Sequence, residues 1–316
     1  MLPVSEELKW KLKKLNDSLR EVYPLAAFDK TKIRARLKEV GTFYQVEKWK
    51  DGEMKDWLKG KSVIGVDGSV NSTRGSQTRT LSVFQALAKG TLGEEKWAAD
   101  VYTPLLEEEE EEGQAAREAR KRGAILSALE MRVAGEAMRE WEARVVIMDG
   151  SLLHFYIDDA EEWGKLAKTA EERGIFIVGV AEEISTRRLV KELFPEFPAW
   201  SDRDLLYGVL NVGEVFEWED WSPAGSGMWK MAFRSSKSPQ PIGLDGLMSQ
   251  KEDRLALVRL VYSLTPEQGR GIPFWLDIVD NQVRVTNPLV ETMVEQYIDA
   301  DLRHRLLAVK RSDRMI

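Results

Sequence analysis

The chain has no cysteine and only two histidines, His154 and His304, among its 316 residues. The first absence excludes a disulfide framework and any thiolate zinc site, and the second excludes a histidine-rich metal centre. A metal bound by this chain must therefore be held mostly by carboxylates, which suits Mg²⁺ or Mn²⁺. Long apolar runs are missing too: no segment approaches the roughly 20 apolar residues of a membrane span. The stretch MLPVSEELKWKLKKLND at residues 1–17 is amphipathic and charged, without the apolar centre of a secretory signal, so a cytoplasmic location is expected. Nor is there an excess of positive charge. The net charge is −7, which argues against holding nucleic acid by bulk electrostatics. One tract of six consecutive glutamates, Glu107 to Glu112, weighs heavily in that total. Basic residues are abundant elsewhere, as at Arg117, Arg120, Lys121 and Arg122, and again at Arg187, Arg188 and Lys191. An acidic protein of this kind can still carry a basic groove.

Hydrophobic content of 43% and charged content of 31% fit a globular chain with a substantial core. The most informative feature is a repetition. Residues 64–69 (IGVDGS) and 146–151 (VIMDGS) are both apolar runs ending in Asp-Gly-Ser, with Asp67 and Asp149 lying 82 residues apart. Each run reads as a buried β-strand stopped by a Gly-Ser turn. Each strand then delivers a carboxylate to its C-terminal end, where ligand sites of α/β sheets gather. An Asp there is costly unless something pairs with it, and two carboxylates are enough to begin a hard-cation site.

Around these motifs the pattern predicts a helix-rich segment over residues 5–58, with apolar spacing at Leu8, Leu12, Leu15 and Leu19 and at Ile33, Leu37 and Val40. Strands are predicted at 62–67, 79–88 and 95–103, the last two joined by a glycine-bearing hairpin loop at 89–93. A long helix follows at 113–141, then a strand at 144–149, a helix at 158–173 and a strand at 175–180. This β-β-β-α-β-α-β order is that of an RNase H-like mixed sheet, in which the first and fourth strands lie side by side and present their acids across a metal site. The two Asp-Gly-Ser motifs fall on those strands. The same order also describes half of an actin-like or sugar-kinase ATPase, so order alone does not decide chemistry. Further along, helices are expected at 184–194, 247–262 and 288–308 and a strand at 228–233. A strand pair is expected at 274–280 and 282–286, around Asn281. The domain expectation is a helical N-terminal arm over 1–58, a candidate dimerisation element, followed by a catalytic domain over 59–316 with C-terminal additions.

Two further acids are candidates. Glu130, in LSALEMR, sits beside the apolar face of the long helix, 19 residues before Asp149. A solvated Glu paired with Arg132 or Arg122 is the competing assignment. Asp280 ends the apolar segment 272–279; strand alternation puts it with Leu276 and Ile278, and Asp277 on the opposite face. A turn Asp before Asn281 is the alternative. Three or four carboxylates can hold two divalent ions ~4 Å apart, enough to activate water and stabilise a leaving oxygen in phosphodiester cleavage.

These segments resemble the NurA family of DNA-end-processing nucleases, which act beside HerA-type hexameric translocases. GVDGS at 65–69, LSALEMR with Glu130, VIMDGSLL at 146–153, GIFIVGV at 174–180 and PFWLDIVDNQVRV at 273–285 resemble successive family blocks. The likeness implies a metal-dependent DNA nuclease in end resection and double-strand-break repair, with 5′–3′ exonuclease and single-strand endonuclease activity. It implies Asp67, Glu130 and Asp149 as catalytic and metal-binding acids, with Asp280 at the place of a late His or Asp. It further implies two Mn²⁺ or Mg²⁺ ions per site, a homodimer, a HerA-like ATPase partner, and single-stranded and duplex-end DNA as substrates. The chain departs from the family where Ala181-Glu182-Glu183 stands in place of a frequent Lys, and where Asp280 replaces the histidine of archaeal members. Arg74 and Arg79, in the Ser/Thr/Gly-rich loop after the first motif, are the candidate DNA contacts; an exposed hairpin loop is the alternative. Trp229 and Trp275 are candidates for stacking on unpaired bases. His154 reads as structural. The competing functions are an actin-like ATP phosphotransferase and a non-catalytic scaffold on a translocase. The residues after Asp149 lack the glycine density of a phosphate loop.

Overall fold

The computed structural model describes residues 4–24, 29–73, 79–106, 114–223 and 225–307. Its strands are β1 (Thr42–Gln45), β2 (Ser62–Ser72), β3 (Ser82–Gly90), β4 (Glu95–Tyr102), β5 (Ala143–Asp149), β6 (Phe176–Ala181), β7 (Glu214–Glu217), β8 (Met228–Phe233) and β9 (Ile242–Leu247). The helices are α1 (Glu6–Val22), α2 (Lys30–Val40), α3 (Asp51–Leu58), α4 (Gln114–Glu140), α5 (Leu152–Asp158), α6 (Ala160–Arg173), α7 (Arg188–Leu193) and α8 (Asp202–Leu206). They continue with α9 (Arg254–Leu264), α10 (Phe274–Val283), α11 (Asn287–Tyr297) and α12 (Ala300–Leu306). Among the described residues the strands form one sheet in the order β1-β7-β8-β9-β6-β5-β2-β3-β4.

The centre of that sheet follows from the sequence. β2, β3 and β4 form the expected antiparallel meander. β5 and β6 extend it in parallel from β2, each after a helical crossover. The strands predicted to carry the two aspartates are therefore neighbours. Val145, Val146, Ile147 and Met148 of β5 are fully buried, as expected of a parallel strand covered on both faces. One face carries α4, α5 and α6 over Ile64, Val66, Val146 and Met148. The other packs Val63, Val145 and Ile147 with Leu257, Val261 and Leu276 of α9 and α10. α4 contributes Leu129, Val133, Ala134, Ala137 and Met138, the helical spacing seen in the sequence. α6 is defined at both ends: Asp159 accepts the N–H groups of Glu161 and Glu162, and Gly174 stops the helix in the left-handed region at φ 61°. Among the described residues no helix is long and apolar enough to cross a membrane.

Several elements differ from expectation. Residues 274–283 form α10 rather than the first strand of a pair, and 282–286 form no strand. The apolar segment reads as a strand by alternation, but Leu276, Val279 and Val283 are buried at helical spacing, and that periodicity decides. The alternation that separated Asp277 from Asp280 consequently fails, because three residues apart on a helix share a side. The helix expected at 247–262 begins as a 3-10 turn over Met248–Asp253 and becomes α-helical only at Arg254. The final helix is broken into α11 and α12. β9 was not anticipated: IGLDGL has two glycines and a buried Asp, all unfavourable to strands, yet it lies wholly inside the sheet. The N-terminal segment is not all helical. β1 pairs with β7 at the sheet edge, and Ile33 and Leu37 of α2 are buried beside Trp200, Phe216 and Trp221.

Candidate active site

The two Asp-Gly-Ser segments are alike in sequence but not in structure. After Asp149 the chain turns: Gly150 takes φ 108°, donates its N–H to Val180 O at 2.9 Å, and leads into α5. After Asp67 it does not. β2 runs on to Ser72, still paired with β3, while its parallel pairing with β5 stops at Val66 and Met148. Asp67 and Asp149 are the next residue on each strand. By alternation both share the face of Gly65 and Ile147, the side covered by α9 and α10. Gly68 has a different task from the predicted turn. A Cβ there would lie 2.6 Å from Glu130 Oε1 and 2.7 Å from Leu126 Cδ1. Only a glycine lets α4 bring Glu130 against β2 immediately beside Asp67. Ser69 accepts the Val285 N–H at 2.9 Å and so fixes the chain just after α10.

The four predicted acids are brought together. Asp67 and Glu130 are each 7% exposed. Burial, then the charge of Asp149, pushes Asp67 up to about 7; the Gly68 N–H opposes this at 2.7 Å from Oδ1. Burial, followed by Asp67 and Asp149, holds Glu130 well above the usual carboxylate range. Burial pushes Asp149 up to about 6, with Arg270 opposing and Asp280 adding to the shift. Asp280 reaches the same region from α10, with its carboxylate paired to Arg284 one turn on. Among the described residues no Lys or Arg forms an ion pair with Asp67, Glu130 or Asp149. As the side chains stand, no three described acidic, histidine or cysteine groups are gathered around one point as a ready metal cage. The donor set is nonetheless all oxygen, buried and short of positive charge, which is the chemistry a hard divalent cation satisfies.

Two residues the sequence did not single out belong to this region. Arg270, in the loop before α10, pairs with Glu182 and Asp277, both at 2.8 Å, and its charge is felt at Asp67 and Asp149. It is a cation close to Asp67 and Asp149, near the end of β6 where a Lys was missing from the Ala181-Glu182-Glu183 segment. Asp245, on β9, is 3% exposed and binds the turn after Asp149. No local pattern marks either one.

Other candidates are placed elsewhere. Arg74 lies outside the described residues, as do Glu107 to Glu112. Arg79 is exposed and donates to the Arg305 carbonyl at 3.2 Å. Arg187 and Arg188 donate to the carbonyls of Trp200 and Ser222, so both are committed to loop structure. Trp229 is buried against Gly246, where a Cβ would meet its ring at 2.4 Å, and cannot receive a base. Trp275 packs on Gly65 and donates to Lys89 O at 3.0 Å. Trp229 is a core residue, and Trp275 is partly buried against Leu87, Val279 and Val283. His154 Nε2 lies 3.0 Å from Asp158 Oδ2, one turn along α5.

The role of Gly68 gives a direct prediction. Gly68→Ala is expected to displace the Glu130 carboxylate at a cost of about 1–2 kcal/mol in stability, since the clashing atoms are side-chain ends. Any activity that depends on Glu130 should fall at least about tenfold. Urea unfolding beside an activity assay checks this, and full activity in the variant would contradict the packing.

Comparison with known proteins places these features in context. The NurA domain family profile matches residues 61–285. A search of curated protein sequences found no match. Similar solved structures include Endonuclease V of Bacillus subtilis, at 14% identity and TM-score 0.39, covering 84% of this chain and 91% of that one. The catalytic domain of human Endonuclease V is similar at 15% identity and TM-score 0.36, covering 80% and 93%. Kluyveromyces polysporus Argonaute with a guide RNA aligns at 8% identity and TM-score 0.34, covering 83% of this chain and 33% of its own.

Proposed function

The chain belongs to the NurA family, and on that premise we propose that it is a metal-dependent DNA nuclease acting in end processing and double-strand-break repair. The observation that carries this is the convergence of Asp67, Glu130, Asp149 and Asp280 from β2, α4, β5 and α10, with the first two buried and in no ion pair with a described Lys or Arg. Buried carboxylates without a counter-charge are costly, and a protein retains them for a purpose. Asp67, Glu130 and Asp149 would hold Mn²⁺ or Mg²⁺, with Asp280 at the rim. Ions held there supply Lewis-acid activation of water and stabilise charge on the phosphate and leaving oxygens. Gly68 positions Glu130, and the Gly150 turn positions Asp149. Arg270 is placed to meet a phosphate, since its present partners Glu182 and Asp277 are partly exposed and can release it to a stronger anion. The RNase H-like assignment is supported by the meander and parallel extension β4-β3-β2-β5-β6 with its acids on adjacent strands.

The finer expectations belong to the same proposal: 5′–3′ exonuclease and single-strand endonuclease activity, two ions per site, DNA contacts from Arg74 and Arg79, a cytoplasmic location, and a HerA-like ATPase that feeds DNA to an acidic enzyme. A homodimer formed through the 1–58 segment is supported by α1, which has no buried residue and leaves Leu8, Leu12, Leu15 and Leu19 each about half exposed along one row. Against an ATP phosphotransferase stands the turn after Asp149. The Leu152 N–H that would meet a phosphate is taken by the Asp245 carboxylate at 2.9 Å.

End-labelled single- and double-stranded DNA incubated with the full chain tests the proposal. Cleavage is expected with Mn²⁺ or Mg²⁺ and none in EDTA; undiminished cleavage in EDTA would reject a carboxylate-held metal.

A further inference from the structure

Asp245 is a carboxylate placed deep in the sheet, two strands away from Asp149. β9 pairs with β6 so that Asp245 stands opposite Gly179. Its side chain crosses that glycine toward β5. The crossing needs a glycine, because a Cβ on residue 179 would lie 2.2 Å from Asp245 Oδ1 and 2.7 Å from Gly150 O. Beyond Gly179, Asp245 accepts the hydroxyl of Ser151 on Oδ2 and the N–H of Leu152 on Oδ1, the latter at 2.9 Å. These are the second and third residues after Asp149. On its other side Asp245 faces Lys230, its cross-strand neighbour on β8, itself 9% exposed.

The short helix α5 that begins at this turn is held at its far end as well. Asp158 accepts the hydroxyl of Ser127 at 2.6 Å. Ser127 lies on α4, three residues before Glu130. One end of α5 is thus fixed beside Asp149 and the other beside the Glu130 helix. A buried carboxylate is costly unless its hydrogen bonds and counter-charge are supplied. Here it is spent on two hydrogen bonds to the turn that aims one of the site's acids.

We infer that Asp245 is a positioning residue: through Ser151 and Leu152 it fixes the turn that sets Asp149, and with the Asp158–Ser127 contact it sets the spacing between Asp149 and Glu130. The catalytic half of this inference rests on the nuclease reading above. The anchoring half does not.

Three variants of the full chain separate the outcomes: Asp245→Ala, Asp245→Asn and Ser151→Ala. Two quantities are read. One is kcat and KM on single-stranded DNA with Mn²⁺; the other is amide hydrogen exchange of the 149–153 segment in metal-free protein. Asp245→Ala is expected to lower kcat by about tenfold or more, with KM within about threefold, and to speed exchange at Gly150 to Leu153 by about tenfold. Asp245→Asn should recover most of both, since the amide oxygen still accepts from Leu152 and the Ser151 hydroxyl can accept from the amide nitrogen. Ser151→Ala leaves Asp245 and Lys230 untouched, so it reports even if removing the Asp245 carboxylate unfolds the chain; a smaller loss of the same kind is expected. Wild-type kcat or unchanged exchange in Ser151→Ala together with Asp245→Ala overturns the inference, as does an Asn variant no better than Ala. If the wild-type chain cleaves no DNA, the nuclease reading fails, and exchange alone decides whether Asp245 anchors the turn.

Discussion

Asp67→Asn, Asp149→Asn and Glu130→Gln are each expected to lower DNA cleavage by at least about 10³-fold, some 4 kcal/mol of transition-state stabilisation. Each amide keeps the shape of its acid and removes the charge, so the effect reads charge rather than packing. The loss should be grossly non-additive: a double variant should be little worse than either single one, because the acids act as a unit. Asp280→Ala should cause a comparable or smaller loss, since its carboxylate lies at the rim, paired with Arg284. Initial rates on a labelled oligonucleotide at saturating Mn²⁺ decide it. A fully active Glu130→Gln would return that residue to a structural role and leave its approach over Gly68 without a function.

The second expected result concerns stability and pH in the metal-free protein. Asp67 is pushed up to about 7 by burial first and by Asp149 second, from an ordinary value of 3.8. Its folded pKa lies above its unfolded one, so between those values the folded chain binds more protons than the unfolded chain. Stability contributed by this group is therefore intact below about pH 4 and is lost as pH rises toward 7. Asp149, pushed up to about 6 chiefly by burial, acts in the same direction over a narrower window. Asp67→Asn removes the titration. In EDTA at pH 8 the variant should be more stable than wild type by about 2–4 kcal/mol, and near pH 4 the two should coincide. Urea unfolding across that range measures it. Mn²⁺ at pH 8 should restore wild-type stability while doing little for the variant, as binding to the folded state alone requires. A variant no more stable than wild type at pH 8 would mean that the acids are better solvated than their burial indicates.

Much of the site was legible because its signals are local. An apolar run leading into Asp-Gly-Ser announces a buried strand that carries a carboxylate, and two such runs announce a pair, although only the second run ends at its Asp. The 3.6-residue spacing of Leu129, Val133 and Ala137 puts Glu130 on a helix edge near the core. Those features determined the β2-to-β6 block and the identities of the candidate acids, because hydrophobic periodicity and turn chemistry are written in adjacent residues.

The rest depended on contacts between distant segments. Whether Gly68 is a turn or a gap for Glu130 is set by the approach of α4, which residues 64–69 do not encode. Whether 274–283 is strand or helix was ambiguous in a short apolar run, and burial of Leu276, Val279 and Val283 against the sheet settled it. β9 has poor strand propensity and exists because β6 and β8 flank it. Asp245 and Arg270 reach the region through side chains from residues more than ninety positions beyond Asp149, across Gly179 in one case and beside Glu182 in the other. The sequence determined which acids stand on the two central strands and the long helix; the tertiary structure alone decided how they are aimed, because aim is fixed by steric fit and hydrogen bonds between elements that meet only when the sheet closes.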